Sequence, residues 1–350
     1  MSKKVYVGMS GGVDSSVTAA LLKQQGYDVT GVYMKNWSQD LPGFTCPWKE
    51  DYQDAKRVAV QLGIPFKLYD FEKQYRQKVV DYMVAGYKAG ITPNPDIMCN
   101  QEVKFKLFLE TALEDGADMI ATGHYARTKN GQLFAGLDTN KDQSYFLYRV
   151  SEEALARSLM PIGELKKPEV RALAKKLGLA TADKKDSQGI CFVGKVGIKD
   201  FLLAELGKQP QGAILDQSAG QRRHVGEHDG ALFYTIGQRH GLSVGGGLPY
   251  YVVGKDMKKN EVYVTTDLQD ESLWKKELQL TSLHWINETP LQGATLQIRT
   301  RYRAPLVACK TEVKGDTLHV KLSEAIRAVT PGQSAVIYQG EEVLGGGIVV

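Results

Sequence analysis

Six residues near the start of the chain, S-G-G-V-D-S at positions 10–15, have the composition of an anion-binding turn. They follow an apolar run at 5–9 that predicts a buried strand, and an apolar face at helical spacing comes after them. Two adjacent glycines let successive backbone N–H groups converge on an oxyanion, and a helix N-terminus adds partial positive charge. Ser10 and Ser15 can donate further hydrogen bonds. The sequence therefore predicts a phosphate site, because a plain turn would not require two serines and an aspartate around the glycine pair.

The lysine missing from this loop narrows its chemistry. No G-x-x-x-x-G-K-[ST] pattern occurs in the chain. The loop is therefore not a phosphate-binding loop of the type found in GTPases and in the kinases that have this pattern. The pattern S-G-G-x-D-S resembles the pyrophosphate loop of enzymes that split ATP between its α- and β-phosphates and adenylate a substrate. We therefore expect ATP to bind at this loop.

A second segment, T-P-N-P-D-I-M-C-N at 92–100, combines a thiol with a carboxylate. Its two prolines stiffen a loop, and Cys99 comes just before a helix predicted near 103–114, where a helix N-terminus would stabilise a thiolate. Asp96, three residues earlier, could reach the same pocket as a general acid or base. A rigid connector with an incidental cysteine explains these residues equally well.

A third segment, K-K-D-S-Q-G-I-C-F at 184–192, places Cys191 after two lysines and a glycine. A flexible, electropositive loop of this kind lowers the pKa of a thiol, although a solvated loop with one buried cysteine fits too. Cys309 lies in an alternating stretch and is expected to be an inert core residue, and Cys46 has no assigned role. No cysteine belongs to a C-x-x-C pair, so we expect no structural metal.

Composition describes an ordinary globular protein. With 350 residues the chain is long enough for two or three domains, and its net charge of +4 is too small to establish a nucleic-acid partner. It contains no run of about eighteen apolar residues, so we expect no membrane span. The first residues lack the basic and then apolar layout of a signal peptide, which predicts a cytoplasmic protein.

The succession of strand and helix patterns divides the chain into three domains. Strands and helices alternate over residues 1–205, which predicts an α/β fold: a Rossmann-like, doubly wound parallel sheet with helices on both faces. Its ligand would lie beyond the carboxyl ends of the strands, where Gly11, Met34 and Gly123 fall. Short alternating segments predict a small β-rich domain at 206–274 and a β-barrel at 275–350.

The three segments, in this order, resemble the tRNA-specific 2-thiouridylases, which replace the C2 oxygen of the wobble uridine with sulfur. The resemblance runs nearly end to end. It rests on residues 8–15, 94–100, 121–125 (A-T-G-H-Y), 140–148 (N-K-D-Q-S-Y-F-L-Y), 185–192, 235–241 (T-I-G-Q-R-H-G), 300–303 (T-R-Y-R) and 329–338. Gln188 departs from the threonine common at that position, which puts little in doubt because neither side chain need contact the sulfur.

The resemblance implies an ATP-pyrophosphatase domain that adenylates the C2 oxygen, releases pyrophosphate and AMP, and delivers sulfur from a cysteine persulfide. Cys191 would carry the persulfide, Cys99 would be the second thiol, and Asp96 the general acid or base. Attack by Cys99 would either release hydrogensulfide or resolve the persulfide after direct transfer, leaving a Cys99–Cys191 disulfide for a reductant. ATP, with Mg²⁺ on its phosphates, would contact Gly8, Met9, Ser10, Gly11, Gly12, Val13, Asp14, Ser15, Met34 and Gly123.

The resemblance also implies a tRNA anticodon loop as partner, in tRNAs for Lys, Glu and Gln. Residues 94–96 (Asn94, Pro95 and Asp96) would line the target base. The other implied tRNA contacts are His124, Lys141, Asp142, Gln143, Arg301, Tyr302 and Gln333. From residue types alone, the strongest candidate for a tRNA contact is the adjacent cation and ring at 301–302. Residue types alone would instead predict that His124 is a histidine at a strand end with its hydrogen bonds made within the protein. A sulfur donor protein, a cysteine desulfurase or a relay carrier, completes the partners of an expected monomer.

Two other functions account for part of the sequence. An ATP-pyrophosphatase synthetase acting on a small molecule would explain the loop at 10–15 but not the two loop cysteines or the β-rich C-terminal third. A nucleotide-sensing RNA-binding protein without catalysis would explain the basic patches but leave Asp96, Cys99 and Cys191 without a role.

Overall fold

The structure is a computed structural model that describes residues 2–41, 45–186, 197–218, 220, 222–242, 244–245, 247, 249–290 and 294–350. In chain order the strands are β1 (Lys4–Gly8), β2 (Asp28–Lys35), β3 (Phe66–Asp70), β4 (Met119–Ala121), β5 (Ala126–Lys129), β6 (Gln132–Ala135), β7 (Ser158–Leu159), β8 (Gly212–Asp216), β9 (Arg223–His228), β10 (Tyr251–Asp256), β11 (Glu261–Thr265), β12 (Trp274–Trp285), β13 (Leu296–Arg299), β14 (Val307–Lys314), β15 (Thr317–Arg327), β16 (Ser334–Gln339) and β17 (Glu342–Val349).

The helices concentrate in the first two hundred residues. They are α1 (Val13–Gln24), α2 (Trp48–Leu62), α3 (Glu72–Tyr75), α4 (Asp81–Lys88), α5 (Pro95–Met98), α6 (Phe108–Glu114), α7 (Glu152–Ala156), α8 (Lys167–Lys176) and α9 (Ile198–Leu206). Two π-helical stretches, Arg76–Val80 and Cys99–Leu107, continue α3 into α4 and α5 into α6. None of the described helices is long and apolar enough to cross a lipid bilayer.

The first sheet has the order β3-β2-β1-β4-β7, with every pair parallel. Alternate residues of β1 pack on opposite sides: Val5 and Val7 lie in a core cluster with α1, whereas Tyr6 lies in another with Phe105 and Phe108. The strand order reverses between β1 and β4, which is where a doubly wound sheet opens a crevice at its carboxyl edge. The predicted α/β architecture is confirmed.

The rest of the chain forms two β structures. Strands β8 to β11 make a four-stranded sheet in the order β10-β11-β8-β9. Strands β12 to β17 close into a six-stranded barrel through the β12–β17 pairing, around an apolar core that includes Leu280, Leu318 and Ile337. The predicted β-rich domain and barrel are thus confirmed, while their boundaries at 205/206 and 274/275 stay predictions.

Two features of the fold differ from expectation. The hairpin β5–β6, which the sequence analysis did not find, pairs with the barrel through Leu133 and Val343, so the barrel sheet continues into the N-terminal part of the chain. The helix predicted near 103–114 begins at Pro95, because the side chain of Asn94 accepts the N–H of Ile97 as an N-cap and proline suits the first helical position. Cys99 therefore lies inside the helix and not before it.

Candidate functional site

The loop between β1 and α1 is held in shape by its own serines. Ser15 Oγ accepts the backbone N–H of Ser10 at 3.2 Å and donates to the carbonyl of Gly12 at 3.2 Å. Gly11 has a φ of +75°, and an added Cβ would stand 2.3 Å from the carbonyl oxygen of Asp51. The glycine at 11 is thus required by the fold. The serine hydroxyls predicted to bind phosphate bond the loop itself.

Gly12, in contrast, faces open space. Its φ of −96° suits any residue, and the nearest atom to an added Cβ is Ser10 Oγ at 3.5 Å. It is the N-cap of α1 and offers no side-chain cap, so the first N–H groups of the helix have no partner within it. N–H groups without helical partners at a helix start, beside a glycine that the backbone does not demand, suit an oxyanion such as a phosphate.

The predicted nucleotide residues converge at the carboxyl edge of the sheet. An added Cβ on Gly123 would lie 2.7 Å from the backbone nitrogen of Ser15, and one on Gly8 would lie 2.9 Å from Met34 Cε. The ends of β1, β2 and β4 therefore meet around the loop. Met9 and Val13 point into the core, 1% and 3% exposed, and can offer only their backbone to a ligand.

Asp14 enters an ion network that the sequence analysis missed. The ammonium of Lys167 lies 2.7 and 2.8 Å from the two carboxylate oxygens of Asp14 and 2.9 Å from Asp186 Oδ1. The hydroxyl of Tyr125 donates to Asp14 at 2.8 Å. Lys141 and Arg171 each bind the carboxylate of Asp186 at 2.7 Å. Lys141, predicted to contact tRNA, is paired with a carboxylate of the protein itself, although its side chain is partly exposed.

The helix that begins at Pro95 carries the second candidate centre. Asp96 is partly exposed and Cys99 is buried, 2% exposed, and their spacing of three puts them on one helix face. Farther along the same helix, the Phe105 ring lies 5.6 Å from the His124 ring, and an added Cβ on Gly8 would lie 3.5 Å from Phe108 Cε1. The helix with Asp96 and Cys99 thus packs against the loop end of the sheet. Cys191 and Gln188 lie outside the described residues.

The segment 140–148 docks the first domain on the barrel. Asp142, 4% exposed, accepts the N–H groups of Gly136 and Ser144 at 3.0 Å each and binds Arg299 of β13 at 3.0 Å. Gln143 accepts the backbone N–H of Tyr125 at 3.0 Å. Two neighbouring hydroxyls, of Tyr145 and Tyr148, reach Ser334 at 2.8 and 3.0 Å. The side chains of Asp142 and Gln143 thus have partners within the fold.

Two further candidates, Arg301 and Gln333, lie at a junction of all three parts of the chain. Arg301 donates to the carbonyl of Ile236 and to Thr330 Oγ1, each at 2.7 Å. Gln333 donates to the carbonyl of Thr92 at 2.8 Å, and the N–H of Thr92 donates to Pro331 at 3.0 Å. These bonds anchor the start of the segment 94–96 to the barrel.

The environments of Tyr302 and His124 decide which interactions they can make. The half-buried Tyr302 ring lies 4.6 Å from Phe146, and the Arg303 guanidinium lies 5.1 Å from its centroid. His124 is buried, with Nδ1 2.8 Å from Thr122 Oγ1. Burial, with help from the charge of Lys104, holds the pKa of His124 well below its usual range. The ring is neutral at pH 7, so it could offer a hydrogen bond but not a charge.

The residues that the sequence analysis missed, Lys167, Arg299 and Asp186, differ in whether the sequence offered a signal for them. Lys167 stands at the start of an amphipathic helix, where a lysine is ordinary, and Arg299 lies in an alternating strand, so spacing singles out neither. Asp186 did lie in the segment quoted for Cys191. Within the described ranges, no group of three or more His, Cys, Asp or Glu side chains has the geometry of a metal site.

Comparison with known proteins places the whole chain. Residues 3–195 match the tRNA methyl transferase HUP domain, 199–266 the tRNA methyl transferase PRC-barrel domain, and 275–349 the aminomethyltransferase beta-barrel domain. A curated protein of Shewanella amazonensis (strain ATCC BAA-1098 / SB2B), the tRNA-specific 2-thiouridylase MnmA, is 49% identical over 360 residues, which cover 99% of this chain and 94% of that protein.

Solved structures are more distant. A 4-thiouridine synthetase in complex with RNA and bound ATP is 20% identical with a TM-score of 0.36, over 54% of this chain and 44% of that one. An NMN synthetase from Francisella tularensis is 19% identical with a TM-score of 0.34, over 53% of this chain and 66% of that one. These scores are too low to support a shared function. The identity to the curated protein over nearly the full length does decide the family: the chain belongs to the tRNA-specific 2-thiouridylases.

Proposed function

We propose that this protein uses ATP to replace the C2 oxygen of the wobble uridine of tRNA with sulfur, giving 2-thiouridine, AMP and pyrophosphate. Family membership supports tRNA thiolation, and the chain is accordingly an enzyme, a tRNA sulfurtransferase. The observation that carries the finer proposal is the packing of one helix, with Asp96 and Cys99 near its start, against the glycine-lined end of the sheet.

The need for ATP follows from the substrate. The C2 oxygen of uracil is a poor leaving group, and transfer of AMP to it, with release of pyrophosphate, makes it a good one. The residues proposed to hold the nucleotide are Gly8, Met9, Ser10, Gly11, Gly12, Val13, Asp14, Ser15, Met34 and Gly123, with Mg²⁺ on the phosphates. Among them, Gly12 leaves space and the first turn of α1 offers N–H groups.

Sulfur would then arrive on a cysteine. The terminal sulfur of a Cys191 persulfide forms the new bond to C2 as AMP leaves with the former oxygen. Cys99 attacks the inner sulfur, either after this transfer or earlier, to release hydrogensulfide that then attacks C2. Both routes leave a Cys99–Cys191 disulfide, which a reductant returns to two thiols with two electrons. Asp96, one helical turn before Cys99, is proposed to move the proton.

The tRNA contacts proposed from the sequence now separate into two groups. Asn94, Pro95 and Asp96 follow Thr92, which Gln333 binds at the junction of the three parts, a suitable place for a base taken out of its stack. Arg301 binds Ile236 at the same junction. The remaining residues proposed to contact tRNA are His124, Lys141, Asp142, Gln143 and Tyr302. Since Lys141, Asp142 and Gln143 have partners in the fold, any tRNA contact there would use their exposed edges or backbone.

One incubation tests the proposal. The enzyme is mixed with ATP, a persulfide donor and unmodified tRNA, and the anticodon nucleosides are read by mass spectrometry. We expect 2-thiouridine and about one AMP for each one formed. AMP release with a small metabolite but without tRNA would contradict the proposal in favour of a small-molecule synthetase.

Cysteine variants test the division of labour. Cys99→Ser and Cys191→Ser should each abolish 2-thiouridine yet keep tRNA-dependent AMP transfer, because adenylation needs only ATP, the base and the loop. Cys46→Ser and Cys309→Ser are the matched controls and should stay active. Intact-protein mass should show a stable persulfide on Cys191 alone. Thiolation by the Cys191→Ser variant, with a persulfide on Cys99, would reverse the two roles.

A further inference from the structure

The buried lysine beside the phosphate loop has no role in the chemistry above. Lys167 is the first residue of α8, and its side chain is 11% exposed. An ammonium has three N–H donors, and three carboxylate oxygens surround this one: both of Asp14, at 2.7 and 2.8 Å, and Oδ1 of Asp186, at 2.9 Å. With every donor engaged, Lys167 has none left for a phosphate, so it acts through its two carboxylate partners.

The two carboxylates belong to different parts of the proposed reaction. Asp14 is in the first turn of α1, at the loop assigned to ATP. Asp186 precedes Cys191 by five positions in the sequence. Lys167 thus joins the nucleotide loop to a carboxylate that precedes the proposed sulfur-carrying thiol in the sequence, and it does so in a partly buried setting where charge pairs are weakly screened.

Each end of this bridge is held by additional donors. The Tyr125 hydroxyl donates to Asp14 Oδ1 at 2.8 Å, and burial together with the Asp14 charge raises the pKa of Tyr125, which keeps the hydroxyl a donor. At the other end, Lys141 and Arg171 reach Asp186 at 2.7 Å each. Burial alone would raise the pKa of Asp186, but the bonds from Lys141 and Lys167 outweigh it and set the pKa at about 2.

We propose that Lys167 is a positioning residue with two separable functions: it neutralises and orients Asp14 at the nucleotide loop, and it fixes Asp186, which precedes Cys191 by five positions in the sequence. This inference rests on the proposed function. An unneutralised Asp14 would repel the phosphates that the helix start attracts. A released Asp186 would leave that loop intact, and because Cys191 follows Asp186 by only five positions, AMP would form without efficient sulfur transfer.

Two variants separate the two functions, each with a matched control. Lys167→Met removes the bridge, and Lys166→Met removes the same charge from the exposed neighbouring lysine. Asp186→Asn removes the charge at one end of the bridge and keeps the shape of the side chain. Its control, Asp183→Asn, makes the same change at a carboxylate that is 87% exposed. The measurements are calorimetric binding of α,β-methylene ATP, tRNA-dependent AMP formation, and 2-thiouridine made for each AMP released. Thermal unfolding of each variant checks that it folds.

The expected pattern is a split between the two steps. In Asp186→Asn, analogue binding and AMP formation stay within about threefold of wild type, while 2-thiouridine per AMP falls at least about tenfold. In Lys167→Met, analogue binding weakens at least about tenfold and 2-thiouridine per AMP falls as well. Both controls match wild type.

Two results would overturn the inference. One is an unchanged yield of 2-thiouridine per AMP in Asp186→Asn, and the other is wild-type analogue affinity in a folded Lys167→Met. If wild-type enzyme makes neither AMP nor 2-thiouridine, the proposed function fails instead. In that case the binding of the analogue by Lys167→Met and Asp186→Asn decides alone. Weaker binding in Lys167→Met but not in Asp186→Asn supports the nucleotide function of Lys167. Equal affinities in the two variants refute it.

Discussion

The phosphate loop and the segment 140–148 were both singled out by short polar motifs, yet they differ in what they leave for a ligand. The side chains of Ser15 and Asp14 bond within the protein, but the loop backbone keeps N–H groups at a helix start. Around Gly12 the loop leaves open space and N–H groups without helical partners. In the segment 140–148, the side chains of Lys141, Asp142 and Gln143 all have protein partners. A polar motif between a strand and a helix start points to a ligand, whereas one between two domains first explains how the domains join.

The same distinction applies at the three-part junction. Arg301 and Gln333 bind backbone carbonyls of other domains, and Gln333 thereby holds in place the chain that leads to Asn94 and Asp96. A residue of this kind influences tRNA binding through the shape of the junction even where it touches no nucleotide. Substitution of Gly12 in the loop should therefore change activity alone, whereas substitution of the interdomain residues should change stability as well.

The largest effect is expected at Gly12. Gly12→Val should fold, because the φ of −96° is open to any residue and the nearest atom to an added Cβ is 3.5 Å away. Its side chain would occupy the space assigned to phosphate, so AMP formation should fall at least about a thousandfold while tRNA still binds. AMP release and thermal unfolding on the same preparation measure both effects.

Gly11→Ala is the matched control at the neighbouring glycine. Its φ of +75° and the carbonyl of Asp51, 2.3 Å from an added Cβ, should make this variant lose thermal stability together with activity. Wild-type AMP formation by Gly12→Val would contradict the assignment of a phosphate to the space beside Gly12. The loop would then not differ from the segment 140–148 in binding a ligand.

The next largest effect is expected at the interdomain ion pair. Asp142→Asn leaves the guanidinium of Arg299 buried, 15% exposed, without its countercharge, so the free energy of unfolding should fall by about 3 kcal/mol. Denaturant unfolding measures it. Glu341→Gln is the control, since Glu341 also joins the barrel to the first domain but is 73% exposed, and its loss should cost less than about 0.5 kcal/mol. Equal losses would show that Asp142 contributes no more than a surface charge.

A smaller, mixed effect is expected at Arg301 and Tyr302. Replacing both by alanine should weaken tRNA binding by about tenfold and make its salt dependence shallower by about one unit of slope, since a cation and a stacking ring are lost. Stability should fall too, because Arg301 binds Ile236 and Thr330. Thr330→Val removes one of these internal acceptors and should lower stability with the salt slope unchanged. An unchanged slope in the double variant would place both residues outside the tRNA footprint.

The features that the sequence could predict are those whose interacting residues lie close together in the chain. The internal hydrogen bonds of the loop join residues at most 5 positions apart, so its motif contained that part of the geometry. The Asp142–Arg299 pair spans 157 positions and the Lys167–Asp14 pair 153, so no local pattern marks them. Strand β7 has two residues and shows no periodicity. The helix start at Pro95 did have a sequence signal, a capping asparagine followed by proline. The signal was missed because the two prolines were interpreted as part of a loop.

The smallest effect concerns His124, whose charge decides how it could contact tRNA. Burial keeps its folded pKa well below the usual value, so below about pH 6.5 the unfolded chain takes up a proton that the folded chain does not. The free energy of unfolding should therefore carry a loss of about 1.4 kcal/mol per pH unit from this group as pH falls below 6.5. His124→Gln should flatten the stability profile between pH 6.5 and about 5 by that amount. His240→Gln, at an exposed histidine, should leave the slope as it is. A slope unchanged in His124→Gln would mean that His124 does not have the lowered pKa in the fold, and the ring could then present a charge to a phosphate of the tRNA.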